Sequence, residues 1–103
     1  MTNLEQLDPA DYRRVVADFR TMFSAHHTTR RVPGLSGVNF MTDDVLGNVT
    51  DAGGDVVEVS TGMFSGRRIF GISYSPGDPR SRMVDGDTLA AVHAALYGTG
   101  DAS

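Results

Sequence analysis

The sequence predicts a single α+β domain in which a small antiparallel sheet is covered by two helices. Helical periodicity at both ends of the chain and period-two alternation in its middle are the two observations behind this class. The predicted order of elements is α-β-β-β-α, with three or four strands in the sheet. A chain of 103 residues with 40% hydrophobic content is large and apolar enough to form one such domain.

The first helix is predicted from Pro9 to His26. Asp8 is a suitable N-cap residue, and proline is favoured at the first helical position that follows it. Apolar residues then recur at helical spacing and form one stripe that is expected to face the core. The stripe consists of Tyr12, Val15, Val16, Phe19, Met22, Phe23 and His26.

Three segments in the middle of the chain are predicted to be strands, at residues 35–41, 55–61 and 67–74. The last two are expected to form a hairpin around a turn at Gly62–Gly66, and Asp51–Gly54 is expected to form another turn. Residues 45–50 fit a short strand or a helical turn equally well. Gly71 lies inside a predicted strand, which indicates a close approach by another element such as the first helix.

Residues 75–82 contain Pro76 and Pro79 and are predicted to form an irregular loop. Asp85 or Asp87 is then expected to cap a second helix, Thr88–Tyr97, which ends with glycine at its C-terminus. The predicted domain covers residues 8–98, with an N-terminal arm at 1–7 and a flexible tail at 99–103.

The composition excludes several kinds of chemistry. All nine basic residues are arginine, and the chain has no lysine, cysteine or tryptophan. Disulfides, thiolate metal sites, Schiff-base catalysis and a P-loop are therefore excluded. This bias is typical of a GC-rich genome and indicates a bacterium or a phage that infects one. The sequence shows neither a leader pattern nor a span-length apolar stretch, so a cytoplasmic location is expected.

Charge is segregated along the chain. Residues 32–66 carry a net charge of −5, and residues 67–82 carry a net charge of +3. Cross-strand pairing of Asp55 and Glu58 with the arginines of the next strand is the simpler explanation. The alternative is an anion-binding patch, and its candidate residues are Arg30, Arg31, Arg67, Arg68, Arg80 and Arg82.

The predicted element order and the alanine-rich second helix resemble double-stranded RNA-binding domains. That family places a lysine cluster at the start of its last helix, where it grips phosphates. Here the corresponding residues are Asp85, Gly86 and Asp87, which repel phosphate. A sequence pI near 5.1 also argues against a phosphate-dominated interface. No functional residue is therefore transferred from that family.

The sequence offers no recognisable metal or catalytic site. His26 and His27 are adjacent, and adjacent helical side chains point about 100° apart, so packing and capping explain them better than a metal shared with His93. No nucleophile-elbow motif is present. We expect no metal, cofactor or catalytic residue. An enzyme with an unrecognised Asp/His site stays an alternative, and it requires a concave pocket with a perturbed carboxyl or imidazole.

The second helix has no charged side chain between Leu89 and Gly98. Such a helix usually contacts protein on more than one side, although alanine is also simply a strong helix former. The sequence therefore predicts a non-enzymatic interaction module, of accessory, regulatory or inhibitor type, whose partner is another protein or a second copy. The predicted contact residues are Leu89, Val92, His93, Leu96 and Tyr97, with Arg80 and Arg82 from the preceding loop.

Overall fold

A computed structural model describes residues 8–29, 44–75, 77–84 and 88–98. Within these ranges the chain forms two helices and a five-stranded antiparallel sheet with the strand order β1-β2-β3-β4-β5. The elements are α1 (Pro9–Met22), β1 (His27–Thr28), β2 (Asp44–Thr50), β3 (Val56–Phe64), β4 (Arg67–Ser73), β5 (Arg82–Val84) and α2 (Leu89–Tyr97). The predicted α+β class is confirmed. The predicted strand at 35–41, the arm and the tail lie outside the described residues.

Helix α1 begins as the sequence predicts and ends earlier. The Asp8 carboxylate accepts a hydrogen bond from the backbone N–H of Ala10 at 2.8 Å. The helix ends at Met22, and the backbone N–H groups of His26 and His27 both donate to the Phe23 carbonyl. The predicted end at His26 is wrong because the chain turns there to pair β1 with β2.

Residues 44–50 form strand β2. Of the strand and the helical turn that the sequence allowed for residues 45–50, the strand is therefore correct. Its register with β3 shifts between Val45 and Gly47, as in a β-bulge. A Cβ atom on Gly47 would lie 2.9 Å from Cε2 of Phe19, a fully buried ring of α1. Gly47 is therefore where α1 approaches the sheet closely. Gly71 is buried on the other face of the sheet, opposite Ser60 and Met83, so α1 is not the element that approaches it.

Gly47→Ala is expected to lower the free energy of unfolding by about 1–3 kcal/mol, because the added Cβ would lie too close to the Phe19 ring, which is fully buried in the core. Urea denaturation measures the change. Gly53→Ala is the matched control, since its Cβ would meet only Asp51 Oδ1 at an ordinary 3.5 Å. Equal stability of the Gly47→Ala variant and the wild type would show that Phe19 does not pack on β2.

Strands β3 and β4 form a hairpin with a shorter turn than the sequence predicts. Strand β3 continues to Phe64, and only Ser65 and Gly66 connect it to β4. Both have positive φ, at 54° and 77°, which is the geometry of a type I′ turn. The predicted loop at 75–82 is also too long, because Arg82–Val84 pairs with β4 as the edge strand β5.

Both helices pack on one face of the sheet and share one core with it. Buried core residues come from both helices and four strands: Val15, Phe19, Phe23, Val49, Val57, Val59, Phe70, Ile72, Tyr74, Val84, Leu89, Val92 and Leu96. The opposite face is also buried at its centre, at Glu58, Ser60 and Ser73. No helix in the described ranges has the length and apolar character needed to cross a membrane.

Candidate functional site

The apolar stripe of α2, Leu89, Val92 and Leu96, lies in the core. Each of these residues is at most 7% exposed, and together they pack against α1 and the sheet. The contact role predicted for them does not hold in this fold, because a partner has no access to them. The stripe is the side that attaches α2 to the rest of the domain.

The side of α2 that faces α1 carries two of the predicted contact residues, His93 and Tyr97. The His26 ring stacks on Tyr97, with centroids 3.9 Å apart and planes 16° from parallel. The His93 ring contacts both Tyr97, at 4.8 Å, and Phe23, at 5.4 Å. These four residues, Phe23, His26, His93 and Tyr97, are termed the aromatic seam. All but Phe23 are half-buried, so the seam keeps an accessible edge.

Backbone contacts fix the position of the aromatic seam. The Tyr97 hydroxyl donates to the Thr50 carbonyl at 2.7 Å, and the Thr50 N–H donates to the His26 carbonyl at 2.9 Å. The end of α2, the end of β2 and the turn after α1 are thereby joined. Burial, and then the negative charge of Asp51, raise the pKa of Tyr97 to about 12. Tyr97 is therefore neutral and anchored at physiological pH.

The third side of α2 faces solvent and consists of alanines. Ala90 and Ala95 are exposed, Ala94 is half-buried, and Ala91 is half-buried and also packs against the core. These four residues are termed the alanine face. The solvent side of α1 is different, since its exposed residues include Arg13, Arg14, Asp18 and Arg20. An uncharged solvent side thus distinguishes α2 from α1.

Arg80 links the loop between β4 and β5 to the turn after β2 through ion pairs. Its Nη2 lies 2.8 Å from a carboxylate oxygen of Asp78, and its Nη1 lies 3.0 Å from one of Asp55. The guanidinium also lies over the ring of Tyr74, with Cζ 4.0 Å from the ring centroid. The predicted partner-binding role of Arg80 is therefore corrected to an internal one, because each guanidinium nitrogen contacts a carboxylate of the same chain.

Asp51 lies at the centre of the same network, with a side chain only 10% exposed. One carboxylate oxygen accepts the N–H groups of Gly53 and Asp55, and the other accepts the Tyr74 hydroxyl at 2.8 Å. Burial raises the pKa of this carboxyl, but the hydrogen bonds and the charge of Arg80 outweigh burial and hold the pKa below its ordinary value. Burial and the bond to Asp51 raise the pKa of Tyr74 to about 12.

Arg82 borders the alanine face. Its guanidinium donates to the Arg80 carbonyl at 2.6 Å and to the Ala95 carbonyl at 3.3 Å. A cation beside the last carbonyls of a helix is favourable, because those groups carry partial negative charge. Of the two loop arginines predicted as contacts, Arg82 is thus the one that lies beside an accessible surface.

The described arginines do not form one anion-binding patch. Arg67 and Arg68 are neighbours on β4, so their side chains point to opposite faces. Arg68 forms an ion pair with Asp11 of α1, and Arg80 forms ion pairs with Asp55 and Asp78. The predicted pairing of Glu58 with this strand's arginines is wrong, because the register places Glu58 opposite Ser73. Arg30 and Arg31 lie outside the described residues.

The three histidines do not converge on one point. The His26 ring lies against Tyr97, whereas the His27 ring meets Phe19 at 6.3 Å. In the part of the chain that the structure describes, no group of three His, Asp or Glu side chains is arranged to hold a metal ion. The histidines therefore belong to the packing between α1, β1 and α2.

A groove of 590 Å³ lies between α1, β4 and the start of α2. Val15, Phe70 and Leu89 are among its apolar lining residues, and its charged ones are Asp11, Arg14, Asp18 and Arg68. The Asp11 carboxylate forms ion pairs with both of these arginines. Asp51 and Asp78, the two described carboxyls with a lowered pKa, do not line this groove. This groove and these carboxyls are separate features, so they do not combine into the site that the enzyme alternative requires.

Comparisons with known proteins add no function to this geometry. The chain matches no protein-family model, no curated protein and no solved structure. The alanine face and the adjoining aromatic seam are therefore the candidate functional site on the strength of their own exposure and chemistry.

Proposed function

We propose that this protein is a cytoplasmic, non-enzymatic interaction module of accessory or regulatory type that binds a second copy of itself through the alanine face. The observation behind the proposal is that α2 already buries its apolar stripe in the core and still presents an uncharged apolar side to solvent. A helix that needs only one covered side normally carries charged residues on the other. The absence of such residues favours a second protein contact.

A second copy is the partner that most needs an uncharged contact surface. In a two-fold symmetric contact the same surface patch meets itself, so a charged group near the axis faces its own like charge. Each chain carries a net charge of −4, and two copies repel each other over most of their surfaces. The alanine face is an uncharged surface on which this repulsion is smallest.

The shape of the alanine face fits helix-to-helix packing. Ala90 and Ala94, and likewise Ala91 and Ala95, are four residues apart and lie above one another on the helix. Small side chains allow two helices to approach to the short end of the usual separation of about 8–10 Å. Helix α2 has nine residues and is about 13 Å long, so the contact belongs to the small, transient class of interfaces.

Ala90→Glu and Ala95→Glu are expected to weaken self-association at least about tenfold, because each places a pair of like charges in the symmetric contact. Both residues are exposed, so neither change disturbs the core. Sedimentation equilibrium at protein concentrations up to about 1 mM measures the association. Ala17→Glu is the control, since it makes the same change at an exposed alanine on α1.

A monomeric wild-type protein at the highest concentration would refute the proposal. Equal weakening by Ala17→Glu and the two α2 variants would also refute it, because the effect would then follow from added charge anywhere on the chain. Weakening by the α2 variants alone supports the alanine face as the contact.

A further inference from the structure

Strand β5 lies at an edge of the sheet and has few buried contacts. It pairs with β4 on one side only, and of its three residues only Val84 is buried, whereas Arg82 and Met83 are exposed. Residues 77–84, which comprise β5 and the described part of the loop before it, are termed the edge segment. A segment with few buried apolar contacts opens at a lower free energy than the core of a domain. We therefore expect the edge segment to be less stably attached than β3, the central strand of the sheet.

Arg80, two residues before β5, joins the edge segment to another part of the domain. Its Nη1 lies 3.0 Å from Oδ2 of Asp55 and 3.7 Å from Oδ2 of Asp51, both in the turn after β2. Its Nε and Nη2 donate to the two carboxylate oxygens of Asp78, which fixes the orientation of the guanidinium over the ring of Tyr74. Isolated surface ion pairs stabilise little, but a bidentate pair within a network of several charges does contribute.

The other side-chain attachments of the edge segment are hydrogen bonds to backbone groups. The Ser81 hydroxyl accepts from the Tyr74 N–H at 2.8 Å, and the Arg82 guanidinium donates to the Ala95 carbonyl at 3.3 Å. Within the described residues, Arg80 thus forms the only ion pairs between the edge segment and the rest of the domain. Salt screens exposed ion pairs, so the attachment is expected to weaken as the salt concentration rises.

We propose that the edge segment detaches from the sheet while the rest of the domain stays folded, and that the ion pairs of Arg80 with Asp51 and Asp55 hold it closed. Detachment uncovers the backbone of β4 at Phe70–Ile72, which β5 covers in the closed state. An uncovered strand edge is a template for pairing with another chain. Arg80 therefore controls whether this edge of β4 is accessible, and this role does not depend on the alanine face.

Hydrogen exchange of the wild-type full chain, followed by NMR at several low urea concentrations, tests the detachment. Alternate residues of β4 bond to β3 and to β5, so one strand provides both the test and its comparison. The N–H groups that join β4 to β5 are expected to exchange at least about tenfold faster than those that join β4 to β3. Their exchange is also expected to depend less on urea, because a local opening exposes less surface than global unfolding does.

The variant Arg80→Gln tests the role of the ion pairs. The N–H groups between β4 and β5 are expected to exchange at least about fivefold faster than in the wild type, because only the closed state loses contacts. Raising the salt concentration from about 0.1 M to about 1 M is expected to speed this exchange in the wild type and to leave it nearly unchanged in the variant. Arg67→Gln is the control, since Arg67 is exposed on β4 and forms no ion pair in the described ranges.

Each other outcome overturns a specific statement. Equal exchange rates and equal urea dependence on both sides of β4 would show that β5 separates only when the whole domain unfolds, which overturns the detachment. Unchanged exchange in Arg80→Gln, or the same acceleration in Arg67→Gln, overturns the role of Arg80. A salt response that persists in Arg80→Gln overturns the ion pairs as the cause of the attachment.

Discussion

Replacement of Leu96 by aspartate is expected to unfold the domain, whereas replacement of the adjacent Ala95 by glutamate is expected to leave it folded. Leu96 is 7% exposed and packs in the core beside Val92, which is fully buried. Leu96→Asp removes this packing and places a carboxylate among apolar core side chains, at a cost above about 4 kcal/mol. Domains of this size are stable by only about 5–15 kcal/mol, so little stability is left.

Urea denaturation followed by circular dichroism measures both variants, at protein concentrations low enough to keep self-association out of the comparison. Ala95→Glu adds its carboxylate at an exposed position whose carbonyl already accepts from Arg82, so its unfolding midpoint is expected to stay close to that of the wild type. A folded Leu96→Asp protein with an unchanged midpoint would show that α2 is not attached to the sheet through this stripe.

The ends of the elements show what could be predicted from local sequence. The start of α1 was predictable because an N-cap aspartate and a following proline act within one turn of the chain. Its end was not predictable, because Phe23 and His26 continue the helical spacing although the chain has already turned. What ends α1 is the pairing of His27 with Val49, a partner far away in the sequence.

The strands repeat this contrast. Alternation predicted β3 and β4, since they supply the centre of the sheet. Strand β5 was not predicted, because Arg82–Val84 is only three residues long and follows a loop with two prolines. Only its pairing with Phe70–Ile72 makes this segment extended, and no local pattern reveals that pairing.

The candidate site was predictable in location and only partly in detail. The missing charges of α2 are visible in the sequence, but which side of the helix is covered depends on the sheet. The stacking of His26 on Tyr97 joins residues 71 positions apart. The binding of Arg80 to Asp51 and Asp55 likewise joins an acidic segment to a basic one, so the charge segregation reflects an internal ion cluster rather than a binding surface.

Asp51→Ala is expected to lower the free energy of unfolding by about 2–4 kcal/mol, since it leaves several donors without their acceptor. The Asp51 carboxylate accepts from the N–H groups of Gly53 and Asp55 and from the hydroxyl of Tyr74, a residue that is 7% exposed. Urea denaturation at neutral pH measures the loss. Asp55→Ala is the control, because it removes one exposed ion pair with Arg80 and is expected to cost less than about 1 kcal/mol.

The effect of Asp51 also depends on pH in a defined direction. Folding lowers the pKa of this carboxyl below its ordinary value of 3.8, so its ionised form stabilises the fold above that pH. The stabilisation is lost as the pH falls through the lowered pKa, and the difference in stability between wild type and Asp51→Ala is expected to narrow there. A difference that stays constant down to about pH 2 would contradict a stabilising role for the ionised carboxylate and would leave only the loss of packing as its cause.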